Sequence, residues 1–591
     1  MIIYKTFKIQ LQYENASCTI QMSKYFSKMH KEATMSTKCR TLLQVIAGIC
    51  LVITLAACSG GEEQAASNES DSKDEGSEEQ VLNLIRKSQI PTMDSSLATD
   101  EASFQFLGLS MEGLYRLGED AKIEEGIAID HEQSEDGLVW TFNLRDDAKW
   151  SNGDPVTADD FVYAWRRAVN PETGSEYGPY MMNGVIKNAE EISNGEKNVE
   201  ELGVIAEDDF TLVVELEKPV PYFESLMTFG TFLPLNEDFV EEQGDEYAQT
   251  SENLLYNGPF KMNDWESTSD SWNVVKNEDY WDADVVELEK MTYEVIKDTQ
   301  TAVDLFESGR IDRTELNSDL VDHYATSEEY TTRSKPVTYY LRMNQTRNEA
   351  LENVNIRKAI SRAFDKHALA DQILNNGSIA INGLIPEDFA QRPDGDEDIR
   401  EINGDLVEYD VEEAQEYWEK GLDELGVDSI ELEFLGGDSD TSKTMNEYLV
   451  NQLETNLEGL DITLKEVPGE QALDLANNMD YDIQLSAWGP DYLDAYSFMS
   501  LWITDGANNL MGYSNDEYDA LMEEVRTDLA MPGKEAERFE NFVEAEKVLF
   551  EEAAIAPVYQ EFVAMLVNPK IEGVITNPIG PTYEYKWAKV N

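Results

Sequence analysis

The chain has 591 residues, with 45 Lys and Arg against 119 Asp and Glu, and a net charge of −74. That excess of acid excludes phosphate-backbone binding as a main role, because such binding needs clustered basic side chains, so no nucleic-acid partner is expected. Hydrophobic residues make up 41% and aromatics 10%, enough apolar surface for most of the chain to fold, and the length implies more than one lobe.

Lys38 and Arg40 precede the apolar run LLQVIAGICLVITLAA at 42–57. A basic segment followed by an apolar run this short predicts a secretion signal, since a membrane span needs about 20 residues. Leu55-Ala56-Ala57-Cys58 resembles the lipobox of bacterial lipoproteins, which implies cleavage before Cys58 and a lipid on its thiol. Residues 1–34 add nothing to such a signal, so Met35 or Met29 is the expected start. The four cysteines are Cys18, Cys39, Cys50 and Cys58. The chain beyond Cys58 therefore predicts neither a disulfide nor a thiolate metal site, and His131, His323 and His367 are too scattered to suggest zinc. Residues 59–80 lack any large apolar side chain and read as a flexible tether.

Val81 opens a short strand. LVWTFNL (138–144) alternates as a half-buried strand does. Asn152-Gly153-Asp154-Pro155 is a turn. Thr157 then reads as a helix N-cap with Asp160 three residues on, and the following helix places Phe161, Ala164, Trp165 and Ala168 on one face. Thr211–Leu216 is a strand, 299–312 a helix closing at Gly309, and 337–344 a strand. Residues 353–374 predict one long amphipathic helix, and 411–426 a second that stops at Gly426. SIELEFL and DITLKEV are strands around a helix. No internal repeat of 20–50 residues is present. Mixed α and β elements without a single period predict an α/β protein of more than one lobe. Asp394-Gly395-Asp396-Glu397-Asp398 starts like a calcium loop, but Ile399 stands where glycine is needed, so a solvated acidic loop is expected. The chain carries no G-x-S-x-G, H-E-x-x-H, C-x-x-C, Walker A or G-x-G-x-x-G motif. No metal, no cofactor and no enzymatic activity are expected; a lipid-anchored hydrolase is the rival from another class.

The stretch WTFNLRDDAKWSNGDPVTADDFVYAWRR (140–167) resembles the signature of the extracytoplasmic solute-binding proteins of peptide transporters, solute-binding family 5. Asn257-Gly258-Pro259-Phe260, Tyr280-Trp281-Asp282, Ser308-Gly309-Arg310-Ile311-Asp312, Tyr339-Tyr340 with Asn344, and Asn355-Ile356-Arg357-Lys358-Ala359-Ile360 are similar to that family too. The resemblance covers nearly all of 81–591. It implies a two-lobed α/β periplasmic-binding-protein-like fold with a hinge and an extra domain on the N-terminal lobe. Domain I would comprise 81–103, 236–335 and 556–591, domain II 104–235 and domain III 336–555. Trp140, Trp150 and Trp165 would then be core.

Oligopeptide binders of the family carry an Asp followed by Tyr where this chain has Asp491-Tyr492. The resemblance implies that Asp491 receives the peptide's amino group, together with a tyrosine hydroxyl that maps to Tyr177. Ala487 and Gly489, with Trp488 between them, fall where the backbone pairs with the ligand main chain, and Thr99 and Glu101 on the opposite edge. Such strand addition fixes a peptide without reading its side chains. Some family members hold the peptide carboxylate with basic residues near this segment, whereas 466–525 here contain no Lys, Arg or His; another segment supplies the cation, or the carboxylate stays solvated. The expected protein is a monomeric, lipid-anchored oligopeptide binder on the outer face of a bacterial cell membrane, feeding a transmembrane permease of an ABC importer. A dipeptide, a signalling peptide or an oligosaccharide is the alternative ligand.

Overall fold

The computed structural model describes residues 80–591 apart from Asp394, Asp396 and Ala507. Cys58, its signal and the tether to residue 79, as well as Asp394 and Asp396 of the calcium-like loop, lie outside the described residues. Among the described residues no helix is long and apolar enough to cross a membrane.

Three sheets organise the chain. Val81–Arg86 pairs in parallel with Lys290–Val295, which continues antiparallel into Ser271–Lys276 and Phe260–Asn263. Ala128–Gln133, Val139–Leu144, Thr211–Glu215 and Val204–Asp208 form an antiparallel sheet. One hydrophobic mass underlies both, and Trp140, Trp150 and Trp165 are buried in it, as expected. The helix Ala158–Val169 packs there through Phe161, Ala164, Trp165 and Ala168. Its first turn closes as the sequence indicates: the Asp160 carboxylate accepts the Thr157 N–H at 2.8 Å.

The third sheet has seven strands. The long strand Tyr330–Met343 lies between Ile555–Val567 and Ile483–Trp488. Ile430–Gly437 and Leu460–Val467 extend the sheet on one side and Arg313–Glu315 on the other. Separate apolar clusters cover its two faces. The long strand begins seven residues before the predicted start. Its first part, Tyr330 to Ser334, pairs with Phe562 to Leu566, and the register shifts before Thr338, around Pro336. Proline cannot donate to a ladder, so the irregularity falls where the chain lacks an N–H.

The helix expected over 353–374 is broken. Val354–Arg362 ends, and the Asp365 side chain caps a new turn by accepting from Ala368 N–H. The physical cause is Lys366. Its ammonium is wholly buried and donates to the Ile381 and Val407 carbonyls at 3.2 and 2.9 Å and to Asn382 Oδ1 at 3.0 Å. An amine removed from water must find acceptors, and these come from the segments at 381–382 and 407.

Candidate functional site

A cavity of about 630 Å³ lies where strand ends from the first and third sheets meet the C-terminal segment. Asp100 caps the helix Glu101–Ser110 at its margin, accepting the Ser103 N–H at 3.0 Å. Thr99, just before the cap, enters no backbone hydrogen bond with the described residues. Glu101 lines the cavity, but its carboxylate is occupied: Arg86 Nη2 donates to it at 2.5 Å and Thr582 Oγ1 at 2.9 Å. Burial alone would raise its pKa; the bonded Arg86 wins and lowers it.

On the other wall, the strand Ile483–Trp488 pairs with Ile430–Gly437 only at Ile483 and Gln484. From Leu485 on, that edge has no strand partner among the described residues. Gly489, Pro490 and Asp491 follow and line the cavity. Ala487 and Trp488 lie in the strand that leads to it, opposite Tyr339 and Thr338, and Trp488 packs against the core on one face of the sheet.

Asp491 accepts a 2.6 Å hydrogen bond from the Tyr180 hydroxyl and forms no ion pair with any described residue. Burial raises its pKa, and the bond from Tyr180 opposes that shift. Tyr177 also lines the cavity, but its ring stacks on Phe229 at 5.8 Å and meets Tyr180 edge-on at 5.6 Å. The hydroxyl bonded to Asp491 is that of Tyr180, with Tyr177 beside it in the lining. Both rings stand on the short helix Tyr177–Met182, three residues apart and so on one face. Gly178 lets this helix approach: a Cβ there would lie 2.0 Å from the Ala168 carbonyl oxygen.

The segment after Asp491 joins the third sheet to the region of Tyr222 and Ser225. Tyr492 stacks on Tyr222 at 4.1 Å, and Leu493 N–H donates to Ser225 Oγ at 3.2 Å. A cleft with a carboxylate and backbone edges on two walls is suited to receiving a ligand. Among the described residues, no three His, Cys, Asp or Glu side chains are grouped to hold a metal.

A family model, bacterial extracellular solute-binding proteins, family 5, matches residues 122–509. The chain belongs to that family. It is 32% identical to a dipeptide-binding protein of Lactococcus lactis, over 87% of this chain and 95% of that one. It is 31% identical to the oligopeptide-binding protein OppA of Bacillus subtilis, over 90% and 96%. Its fold matches the Listeria monocytogenes OppA solved bound to peptide, with a TM-score of 0.71 and 42% identity, covering 87% of this chain and all of that one.

The family 5 fold is two-lobed and mixed α/β, as the resemblance implies. Several family motifs prove to be stitches between segments. Asn257 exchanges hydrogen bonds with the backbone of Glu112 at 2.9 and 3.0 Å. Asp312 accepts from Asn83 N–H at 2.7 Å and Asn568 at 2.9 Å. Arg357 donates to the carbonyls of Leu351, Glu352, Glu552 and Ala553. Sequence reasoning missed Tyr180, whose spacing from Tyr177 was the available signal, and the basic residues Lys297, Arg313, Arg333 and Lys335 of the lining, for which no local signal exists.

Proposed function

We propose that this family 5 protein captures an extended peptide in the cavity and delivers it to the permease of an ABC importer. The observation that carries the reading is Asp491, a half-buried carboxylate beside an open strand edge with no cation of the described residues against it. A peptide ammonium supplies that cation, and a charge-assisted hydrogen bond of this kind contributes roughly 1.5–3 kcal/mol. The Tyr180 hydroxyl shares the carboxylate, and Tyr177 walls the same corner. Ala487 and Gly489 on one side, and Thr99 and the backbone of Glu101 on the other, pair with the ligand main chain. Trp488 is a packing residue that holds the first of these edges. In this reading the three-domain division stands as set out above, with the hinge in the two long strands, and the ligand favours closure by binding the closed form better.

Peptides of neutral side chains, equal in length but scrambled in order, are expected to bind within about tenfold of one another, a spread of about 1.4 kcal/mol. They should be recovered intact by mass spectrometry. Cleaved peptide would favour a hydrolase, and dependence on one neutral side chain a signalling-peptide receptor.

The protein acts as a monomer outside the cytoplasm, held by a lipid on Cys58. Cys58→Ser, lacking the thiol nucleophile, should leave the detergent phase on phase partitioning; a variant that still partitions with detergent removes this anchor.

A further inference from the structure

The charge of the cavity is inverted relative to the chain. Acidic residues outnumber basic ones 119 to 45 overall, yet six basic side chains line the cavity against the four carboxylates of Asp100, Glu101, Glu315 and Asp491. Three of the six are engaged: Arg86 with Glu101, Lys87 with Glu315 at 2.7 Å, and Lys335 with Glu561 at 3.0 Å. Arg313, Arg333 and Lys297 have no carboxylate within ion-pair distance among the described residues. Arg333 is the telling one. It is 9% exposed, and its Nε is buried without a hydrogen-bond partner. It acts electrostatically on Glu101 and Glu315, but each of those is bound to its own cation. Its guanidinium carbon lies 5.2 Å from the centre of the Tyr583 ring, and that of Arg313 lies 3.6 Å from the same ring. Buried charges are ordinarily paired, and a guanidinium fork matches a carboxylate.

The register indicates which carboxylate. The ladder between Tyr330–Met343 and Ile483–Trp488 ends at Thr338 opposite Trp488. Beyond it one strand runs back to Lys335 and Arg333, and the other runs forward to Asp491. The basic group and the amine acceptor therefore leave the ladder at the same end, while the open edge leads away through Ala487 towards Leu485. Arg333 and Asp491 also line one cavity, so in the peptide reading above the residues nearest the ligand's amine are the ones offered to Arg333.

We infer that Arg333, with Arg313 and Lys297, forms a subsite for an acidic side chain near the amino end of the bound peptide, so that the cavity selects peptides with Asp or Glu there. This rests on the peptide reading above.

Calorimetry on the whole protein tests it with alanine tetrapeptides carrying one Glu at the first, second or third position, each beside its Gln counterpart and the C-terminal amide of that counterpart. At one position Glu should bind about tenfold or more tighter than Gln, amidation should cost little, and salt should erode the difference. Arg333→Gln should bring the Glu peptide down to its Gln counterpart. Equal affinities for Glu and Gln at all three positions overturn the inference, and this comparison needs no variant. So does a Glu preference that survives Arg333→Gln. An amidation penalty in place of the Glu effect would put the terminal carboxylate on these cations and also overturns it. If the Gln peptides bind and Glu is no better, only this inference fails; if no peptide binds, the peptide reading fails and takes it along.

Discussion

Asp491→Ala is expected to weaken binding of a free-amine peptide by about a hundredfold to several thousandfold. Once the lobes enclose the ligand, its ammonium has lost water, and removing the carboxylate strands it; breaking a buried pair from one side costs about 3–5 kcal/mol. N-acetylation of the peptide deletes the same charge from the other side and should cost a comparable amount. The two changes together should fall far short of additive, because they remove one interaction. Calorimetry on the four combinations decides. Additive losses, or an acetylated peptide that binds the wild type undiminished, would take the amine anchor away from Asp491. The pH dependence has a definite sign. Only ionised Asp491 pairs with ammonium, and burial raises its pKa. Affinity should therefore fall on acidification, beginning at higher pH than an ordinary aspartate would allow, and Asp491→Asn should flatten that dependence.

Arg116→Met should strongly destabilise the fold, away from the cavity lining. Arg116 is 7% exposed and Glu112 not at all. Its Nε and Nη2 both donate to Glu112 at 3.0 Å, and its Nη1 pairs with the buried Glu584. Tyr280 donates to Glu112 at 2.5 Å. Burial would raise the pKa of Glu112, but Arg116 beside it holds it below the usual range. Without the guanidinium, two buried carboxylates lose their counterion, at a cost of about 3–5 kcal/mol in a domain whose whole stability is about 5–15 kcal/mol. A carboxyl with a lowered folded pKa contributes stability above its unfolded pKa and loses it as pH falls through the folded value. The gap between wild type and Arg116→Met in urea unfolding should thus be widest near neutrality and narrow in acid. A gap that does not change with pH would mean the loss is one of packing. Glu584 adjoins Tyr583, whose backbone exchanges hydrogen bonds with Gln105 at 2.7 and 2.8 Å, so the variant should also loosen the segment that sets the Tyr583 ring against Arg313.

What was legible in the sequence was governed by short-range physics or by a long, specific motif. The capping of Ala158–Val169, its apolar face, and the left-handed Gly426 that ends Val411–Leu425 each depend on residues a few positions apart. The family resemblance directed attention to Asp491, Gly489, Thr99, Glu101 and Tyr177, all of which line the cavity. The same periodicity misled at 353–374, because it cannot register that Lys366 must turn inward to meet carbonyls of Ile381 and Val407. It also missed the start of the strand at Tyr330, since YTTRSKP is polar and its pairing partner lies more than two hundred residues away.

The surroundings of Asp491 were decided by tertiary structure alone. Tyr180 reaches Asp491 across 311 positions of chain. Arg313 and Arg333 meet over Tyr583 because Arg313–Glu315 and Tyr330–Met343 both pair with Ile555–Val567, while Gln105 anchors the C-terminal segment beside them. By itself the sequence determined a strongly acidic chain, and its resemblance to family 5 indicated two lobes and pointed to Asp491. Its scattered arginines and lysines look like surface charge in any local window. Only the pairing of distant strands gathers them around a cavity and buries Arg333 with, among the described residues, no carboxylate in ion-pair contact.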